Sequence, residues 1–331
     1  MQQPSDRPSR RRRAMLAAAT ASAALGGMPA ARAQESYPRK TVRLIVNFPP
    51  GGPLDILART LAEELQEALG QPFVVENKPG AGGNIGVDVA AKAPPDGYTV
   101  LISIDTPFTI NPGVYKSLPF EPEDLKPVMS LASSGLMIAV HPSVHATDLP
   151  TLVAKGRQDT LAFSNAGNGS PGHMAASILA SATGAEVNHI LYKGNAPAVL
   201  AVVSGEVQGG ILATPGFLPQ VKAGKVIAVA VTSPRRSPLA PEVPTVAEAG
   251  LPDLGFEVLY DALVPAATPQ PIVDRLATAL AAALAREGVR KRMASLDMDV
   301  LAEPGEAARQ RLARLRDRYA KTIAATGMRA E

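Results

Sequence analysis

Four times along this chain an apolar, strand-like run ends in a turn and restarts at helical spacing. The turns read Asn47-Phe48-Pro49-Pro50-Gly51-Gly52-Pro53, Gly80-Ala81-Gly82-Gly83-Asn84, Ser164-Asn165-Ala166-Gly167-Asn168-Gly169-Ser170-Pro171 and Tyr192-Lys193-Gly194-Asn195-Ala196-Pro197. Alternating β and α units of this kind predict a parallel or mixed sheet covered by helices. Each turn leaves the unpaired N–H groups of a helix start facing outward, where the helix dipole favours negative charge. Four such turns with no catalytic constellation beside them point to a receptor for a small carboxylate.

The periodicity marks two cycles. In the first, Thr41 to Phe48 is β-rich and Pro53 stands where a first helical residue is favoured. Leu54, Leu57, Ala58, Leu61, Leu65, Ala68 and Leu69 then repeat at helical spacing, with Gly70 as the stop. Phe73 to Glu76 reads as a strand, Asn84 opens a helix to Ala93, and Tyr98 to Ile104 is another strand. The second cycle holds strands at Met137 to Val140, Thr160 to Phe163, Val187 to Leu191, Gln208 to Ala213 and Val226 to Val231. Helices start at Pro171 and Pro197 in the same cycle. Pro234 to Pro244 reads as surface loop, and Pro271 through Arg318 as mostly helical, apolar on one face. Two α/β lobes would place the glycine turns at the mouth of a cleft, beyond the carboxyl ends of the strands.

With 331 residues the chain is long enough for two lobes, and 46% apolar with 19% charged residues describes a globular protein. Cysteine is absent, which removes thiol chemistry and disulfides. Six arginines and one acid, Asp6, lie in the first 33 residues. Without that segment 27 Lys and Arg face 29 Asp and Glu, a net charge of −2. Such a body offers no electrostatic footprint for nucleic acid. The basic run Arg10 to Arg13, the apolar Ala14 to Ala24 and the small-x-small Ala31-Arg32-Ala33 follow the grammar of a secretory signal peptide over residues 1–33. Arg12-Arg13-Ala14-Met15-Leu16 also fits a twin-arginine export motif, so the route is Tat or Sec. The expected location is the periplasm.

Other motifs lead less far. Gly167 to Gly172 satisfies G-x-G-x-x-G, but the acidic residue a dinucleotide site needs about 20 positions on is absent, since Glu186 precedes the next strand. Ser170 and His173 invite a hydrolase reading, yet the first Gly of G-x-S-x-G is missing. Ser170 suits a helix cap, and His173 the ordering of its loop. No His is spaced from a second ligand as in a metal site, so neither cofactor nor metal is expected. Asp55 either stabilises its helix start or ties down the Gly51-Gly52 turn. Lys78 and Lys193 read as solvated charges.

The chain also resembles the substrate-binding receptors of tripartite tricarboxylate transporters, the Bordetella uptake gene (Bug) family. The matching segments include Gly51-Gly52-Pro53-Leu54-Asp55, Leu69-Gly70-Gln71-Pro72, Val75 to Gly86, Pro95-Asp96-Gly97-Tyr98-Thr99, Ser164 to Ser170 with His173, Tyr192-Lys193-Gly194 and Val243 to Gly250. The resemblance implies a two-lobed periplasmic-binding-protein type II fold, each lobe a mixed, mostly parallel sheet flanked by helices. Residues 37–139 and 262–331 would form the first lobe and 140–261 the second, hinged near Ala139 and Asp261. Carried over residue by residue, ligand contacts come from Phe48, Gly51, Gly52, Pro53 and Asp55 in one lobe. Ser164, Asn165, Gly167, Asn168, Ser170 and His173 supply the other, while Asn84 and the stretch from Thr106 to Thr109 border the cleft.

Two departures stand out. Pro50 replaces the family's usual Ala and removes an N–H donor. Leu259-Tyr260-Asp261-Ala262 replaces a segment with Trp and Gly, and Asp261 would add negative charge near the cleft. That would move preference toward a smaller or amino-bearing acid. The expected role is delivery of a small organic acid, by a monomeric receptor, to membrane permease subunits. The alternative is a sensing protein that docks on a membrane sensor kinase.

Overall fold

The computed structural model describes residues 37–329; residues 1–33, read above as a signal peptide, lie outside them. From Pro38 the described chain forms one compact unit, built on two sheets.

The strands of the first sheet are β1 (Val42–Val46), β2 (Phe73–Asn77), β3 (Thr99–Ile104), β4 (Leu125–Ser134), β10 (Val258–Pro265) and β11 (Asp299–Pro304), in the order β11-β4-β10-β3-β1-β2. The second sheet contains β5 (Leu136–Val140), β6 (Leu161–Asn165), β7 (Val187–Leu191), β8 (Gly209–Ala213) and β9 (Ile227–Val231), in the order β7-β6-β8-β5-β9. Parallel pairing joins β1 to β2 and β3, and β6 to β7 and β8. Following the antiparallel pairs, only β10 and β11 in one sheet and β5 in the other oppose the common direction. Both sheets are therefore mixed but run mainly one way, as expected.

The helices are α1 (Pro53–Leu69), α2 (Asn84–Ala91), the short α3 (Thr106–Thr109) and α4 (Asn111–Val114), then α5 (Leu149–Gly156), α6 (Pro171–Thr183), α7 (Asn195–Val203) and α8 (Thr214–Lys222). Three more close the chain: α9 (Gln270–Ala285), α10 (Glu287–Ser295) and α11 (Gly305–Thr326). In α1 the apolar repeat is buried from Leu54 to Leu65, while Ala68 is exposed and Leu69 half-buried, and Gly70 ends the helix at φ 71°, its N–H returning to the Gln66 carbonyl. Ile45, Val87, Leu101, Phe108 and Leu263 form one core against the first sheet. Met137, Val202, Phe217 and Val231 form another against the second. The last helix, α11, lies along β4 and α3 and reaches α6, with Tyr319 stacked on Phe256 at 5.3 Å.

Two elements depart from the sequence reading. The C-terminal stretch is not continuously helical, because β11 pairs with β4 as an edge strand and bends where Ala302 takes φ 48°. The passages between sheets also lie elsewhere than expected. Ala139 and Asp261 sit inside β5 and β10. The chain changes sheet at Gly135 and returns between Val231 and Val258.

The two passages touch. A side chain on Gly135 would meet Ser233 Cβ at 2.6 Å and the Ser233 N at 2.8 Å. Thr232 laces them further, its hydroxyl accepting the Leu136 N–H at 2.8 Å and donating to the Phe256 carbonyl at 2.7 Å. Gly135→Ala should therefore overpack the crossing and cost about 1–3 kcal/mol. Thermal denaturation checks this, and an unchanged melting temperature would contradict it.

Candidate functional site

The first turn is tied before any ligand arrives. Gly51 adopts φ 82°, a left-handed conformation glycine accepts freely. Its N–H donates to Asp55 Oδ2 at 2.9 Å, while Asn77 Nδ2 donates both to Asp55 Oδ1 at 2.9 Å and to the Phe48 carbonyl at 3.1 Å. Arg59 completes the cluster at 3.0 Å. Burial works against a charge on Asp55, yet the bonds from Arg59, Gly51 and Asn77 outweigh it and hold the carboxyl below the usual range. Asp55 thus organises the turn from behind, the second of its two sequence readings.

The third turn is ordered by its own side chains. Ser170 caps α6 by accepting the His173 N–H at 3.4 Å, and His173 Nδ1 accepts the Gly169 N–H at 3.3 Å. Burial, and then the neighbouring His189 ring at 4.6 Å, lower the His173 imidazole to about 4, so it is neutral near pH 7. The ring is engaged with backbone and no bond joins it to the Ser170 hydroxyl, which leaves the hydrolase reading without its proton relay.

Opposed turns meet across the sheets. A Cβ on Gly82 would lie 3.1 Å from the Asn168 carbonyl, and one on Gly169 would lie 2.7 Å from Asn111 Oδ1. Asn84 is buried here and accepts from Asn111 Nδ2 at 2.6 Å. The first and fourth turns face each other instead across a cavity of about 640 Å³. It is lined at the carboxyl ends of strands from both sheets: Phe48 to Leu54 after β1, Ile104 of β3, Ala166 after β6, Lys193 to Pro197 after β7, and Leu212, Ala213, Pro215 and Gly216 at and after β8. This is where open α/β sheets bind ligands.

Of the residues singled out from the sequence, Phe48, Gly51, Gly52 and Pro53 line this cavity. Asp55, Asn84, Thr106, Ser164, Asn165, Gly167, Asn168, Ser170, His173 and Asp261 are not among its lining residues. Several of these carry a different signature. Thr106 Oγ1, Ser164 Oγ, both polar atoms of Asn165 and Asn168 Oδ1 are buried without a hydrogen-bond partner among the described residues. Buried polar atoms are ordinarily paired, so each of these is suited to a ligand or water. They lie near lining residues in sequence, Thr106 near Ile104 and Asn165 beside Ala166.

Asp261 needs a correction. It is fully buried in β10, bonded to Ser130, and burial raises its carboxyl to about 8. It is neutral at pH 7 and adds no negative charge to the cleft. Both lysines read as solvated charges reach water, Lys193 being exposed and Lys78 half-buried. Lys78 lies 3.7 Å from Glu76, as a surface charge would. Lys193 lines the cavity and makes no ion pair or side-chain hydrogen bond among the described residues. Its adjacency to Gly194, at φ 110°, was the only sequence hint.

No group of three metal-ligating side chains occurs among the described residues, and no helix there is long and apolar enough to cross a membrane. Residues 57–328 match the family model described as tripartite tricarboxylate transporter family receptor. The chain belongs to this receptor family. Protein BugT of Bordetella pertussis is 37% identical over 254 residues, covering 76% of this chain and 78% of that one. The structure of the periplasmic binding protein BugD superposes with a TM-score of 0.82 at 32% identity, covering 89% of this chain and 100% of BugD. A protein of R. palustris determined with adipate matches with a TM-score of 0.83 at 30% identity, over 88% and 99% of the two chains. The fold is the one the resemblance implied.

Proposed function

We propose that this receptor is exported to the periplasm, binds a small organic acid as a monomer between two closing lobes, and hands it to membrane permease subunits. One observation carries the reading: the first and fourth glycine turns and the start of α6, from opposite sheets, line a single cavity at the strand ends. Gly52 and Asn195 are non-proline positions at helix starts, where free N–H groups suit a carboxylate. The relative determined with adipate supports the ligand type. Lobe closure would bend the chain at Gly135 and in the return passage around Ser233, where the two crossings pack together.

A thermal-shift screen of mono-, di- and tricarboxylates tests this. A ligand at a hundredfold excess over its Kd should add about 2.7 kcal/mol to the folded state, raising the melting temperature by roughly 5 °C or more. If no acid raises it, the reading fails. Asp55→Ala should release the Gly51 amide and weaken the responding acid at least tenfold, about 1.4 kcal/mol. Isothermal titration of the variant measures that loss, and unchanged affinity would show that Asp55 does not prepare the turn.

A further inference from the structure

The cavity's chemistry narrows the ligand. Lys193 is the one charged side chain on its wall; it is exposed at the cavity mouth and has no ion-pair or side-chain hydrogen-bond partner among the described residues. Six prolines, at 49, 50, 53, 171, 197 and 215, remove N–H donors that other residues would offer. The Gly51 amide is already spent on Asp55. Polar side chains on the wall, besides Lys193, come down to Asn195, Gln220 and Tyr260, and the Tyr260 hydroxyl is engaged with Ser134 at 3.0 Å. Asn195 uses its Oδ1 to accept the Ala213 N–H at 3.3 Å, which leaves its amide N–H groups for a guest. The free donors among these side chains, Lys193, Asn195 and Gln220, all belong to the second sheet's elements.

The remainder of the wall is apolar. Ile56 and Ile104 come from the first sheet's side, Leu136, Val199 and Ile211 from the second. Leu200 also lines the cavity and is 62% exposed, one of four large apolar side chains left that open to water among the described residues. An apolar side chain standing in water beside a cavity gains by meeting an apolar guest. The volume of about 640 Å³ lies within the usual range of about 300–1,000 Å³ for organic ligands.

One cation, one cluster of donors and otherwise apolar walls match a guest with a single charged end. We propose that the ligand is a monocarboxylate with a sizeable apolar body, an aromatic ring or an alkyl chain, its carboxylate paired with Lys193. A compact di- or tricarboxylate would bring a second charge against walls that hold no second cation, and burying an unpaired charge is costly. The proposal rests on the carboxylate-receptor reading above and makes it more specific.

Isothermal titration of the purified chain with benzoate, octanoate, adipate, malate and citrate decides it. Benzoate or octanoate should bind at least tenfold more tightly than each of the other three. Lys193→Gln should weaken that acid at least tenfold and Lys193→Arg should retain most of the affinity. Leu200→Ser, on an exposed position the fold does not need, should weaken octanoate at least threefold. Tighter binding of adipate, malate or citrate overturns the proposal while leaving the carboxylate receptor intact. So does an unaltered affinity in Lys193→Gln. Binding of none of the five acids overturns the receptor reading itself.

Discussion

Replacing Gly172 with alanine should unseat the start of α6 and abolish ligand binding. A Cβ built at this position lies 2.1 Å from the Ile211 carbonyl oxygen, far inside contact distance. The obstacle is backbone, so no rotamer change relieves it. Ile211 is held in β8 opposite Ile138 of β5, and α6 packs directly on β8. Relief requires lifting the helix off the sheet, which should cost about 3 kcal/mol or more and lower the melting temperature by roughly 6–12 °C. Because Pro171 and Gly172 line the cavity, the same displacement moves its wall. Gly51→Ala is the informative contrast. Gly51 has open space around its missing Cβ but sits at φ 82°, so its cost is conformational, about 1–2 kcal/mol. A drop below 2 °C in Gly172→Ala, with binding intact, would refute the packing argument.

Gly172 shows which kind of information the sequence carries openly. Its neighbour Ser170 was legible as a cap and Pro171 as the first helical residue, because capping and N1 preferences are local. Local rules also recovered α1 with its Gly70 stop, and placed most strands of both sheets to within a residue or two. What escaped depends on contacts distant in sequence. β4 pairs with β10 on one side and β11 on the other, and neither β4 nor β11 announces itself by alternation, since β4 is buried on nearly every residue and β11 is a short bent edge. The site divided in the same way. The first turn was readable, but the sequence left the role of Asp55 open between helix start and turn and also offered it as a ligand contact, whereas its carboxyl holds the Gly51 amide and does not line the cavity. Lys193 is exposed, as its reading as a solvated charge implies, but its place on the cavity wall was not readable, because that is decided by what the other sheet puts opposite it. The third turn carried the strongest motif, yet its glycines allow close approach to Asn111, with the same turn set against Gly82, and contribute to the cavity only through its flanks. Asp261 was misjudged because a charge was assigned without knowledge of its burial.

Asp261 leads to the second large effect, on stability against pH. Its carboxyl is wholly buried, faces Asp105, Glu303 and Arg311, and has one oxygen without a hydrogen-bond partner among the described residues. Desolvation dominates, with the bond to Ser130 opposing it, and the net shift is from 3.8 to about 8. Between those values the folded chain holds a proton that the unfolded chain has released. Stability must then fall as pH rises, by up to about 1.4 kcal/mol per unit, with the full stability present below about pH 4. Burial raises Asp105 to about 6, against bonds from the Leu259 N–H and Thr109, so it adds the same sign of slope at the lower end. Asp55 has the opposite sign, but its carboxyl sits below the usual range and its contribution is complete by pH 5. The imidazoles of His173, lowered by burial from 6.5 to about 4, and of His189, lowered in the same direction, also oppose the Asp261 slope, and their contribution is nearly complete by about pH 7. From about pH 7 to 8.5 the slope therefore belongs mainly to Asp261. Asp261→Asn keeps a neutral, isosteric group beside Ser130 and should flatten the curve across this window. At pH 9 the variant should exceed the parent chain by about 2 kcal/mol or more. Chemical denaturation at pH 5, 7 and 9 makes the comparison. Parallel curves for the two proteins would mean that the carboxyl at 261 is already charged near neutrality, and that Ser130 and Arg311 stabilise it far better than their geometry implies.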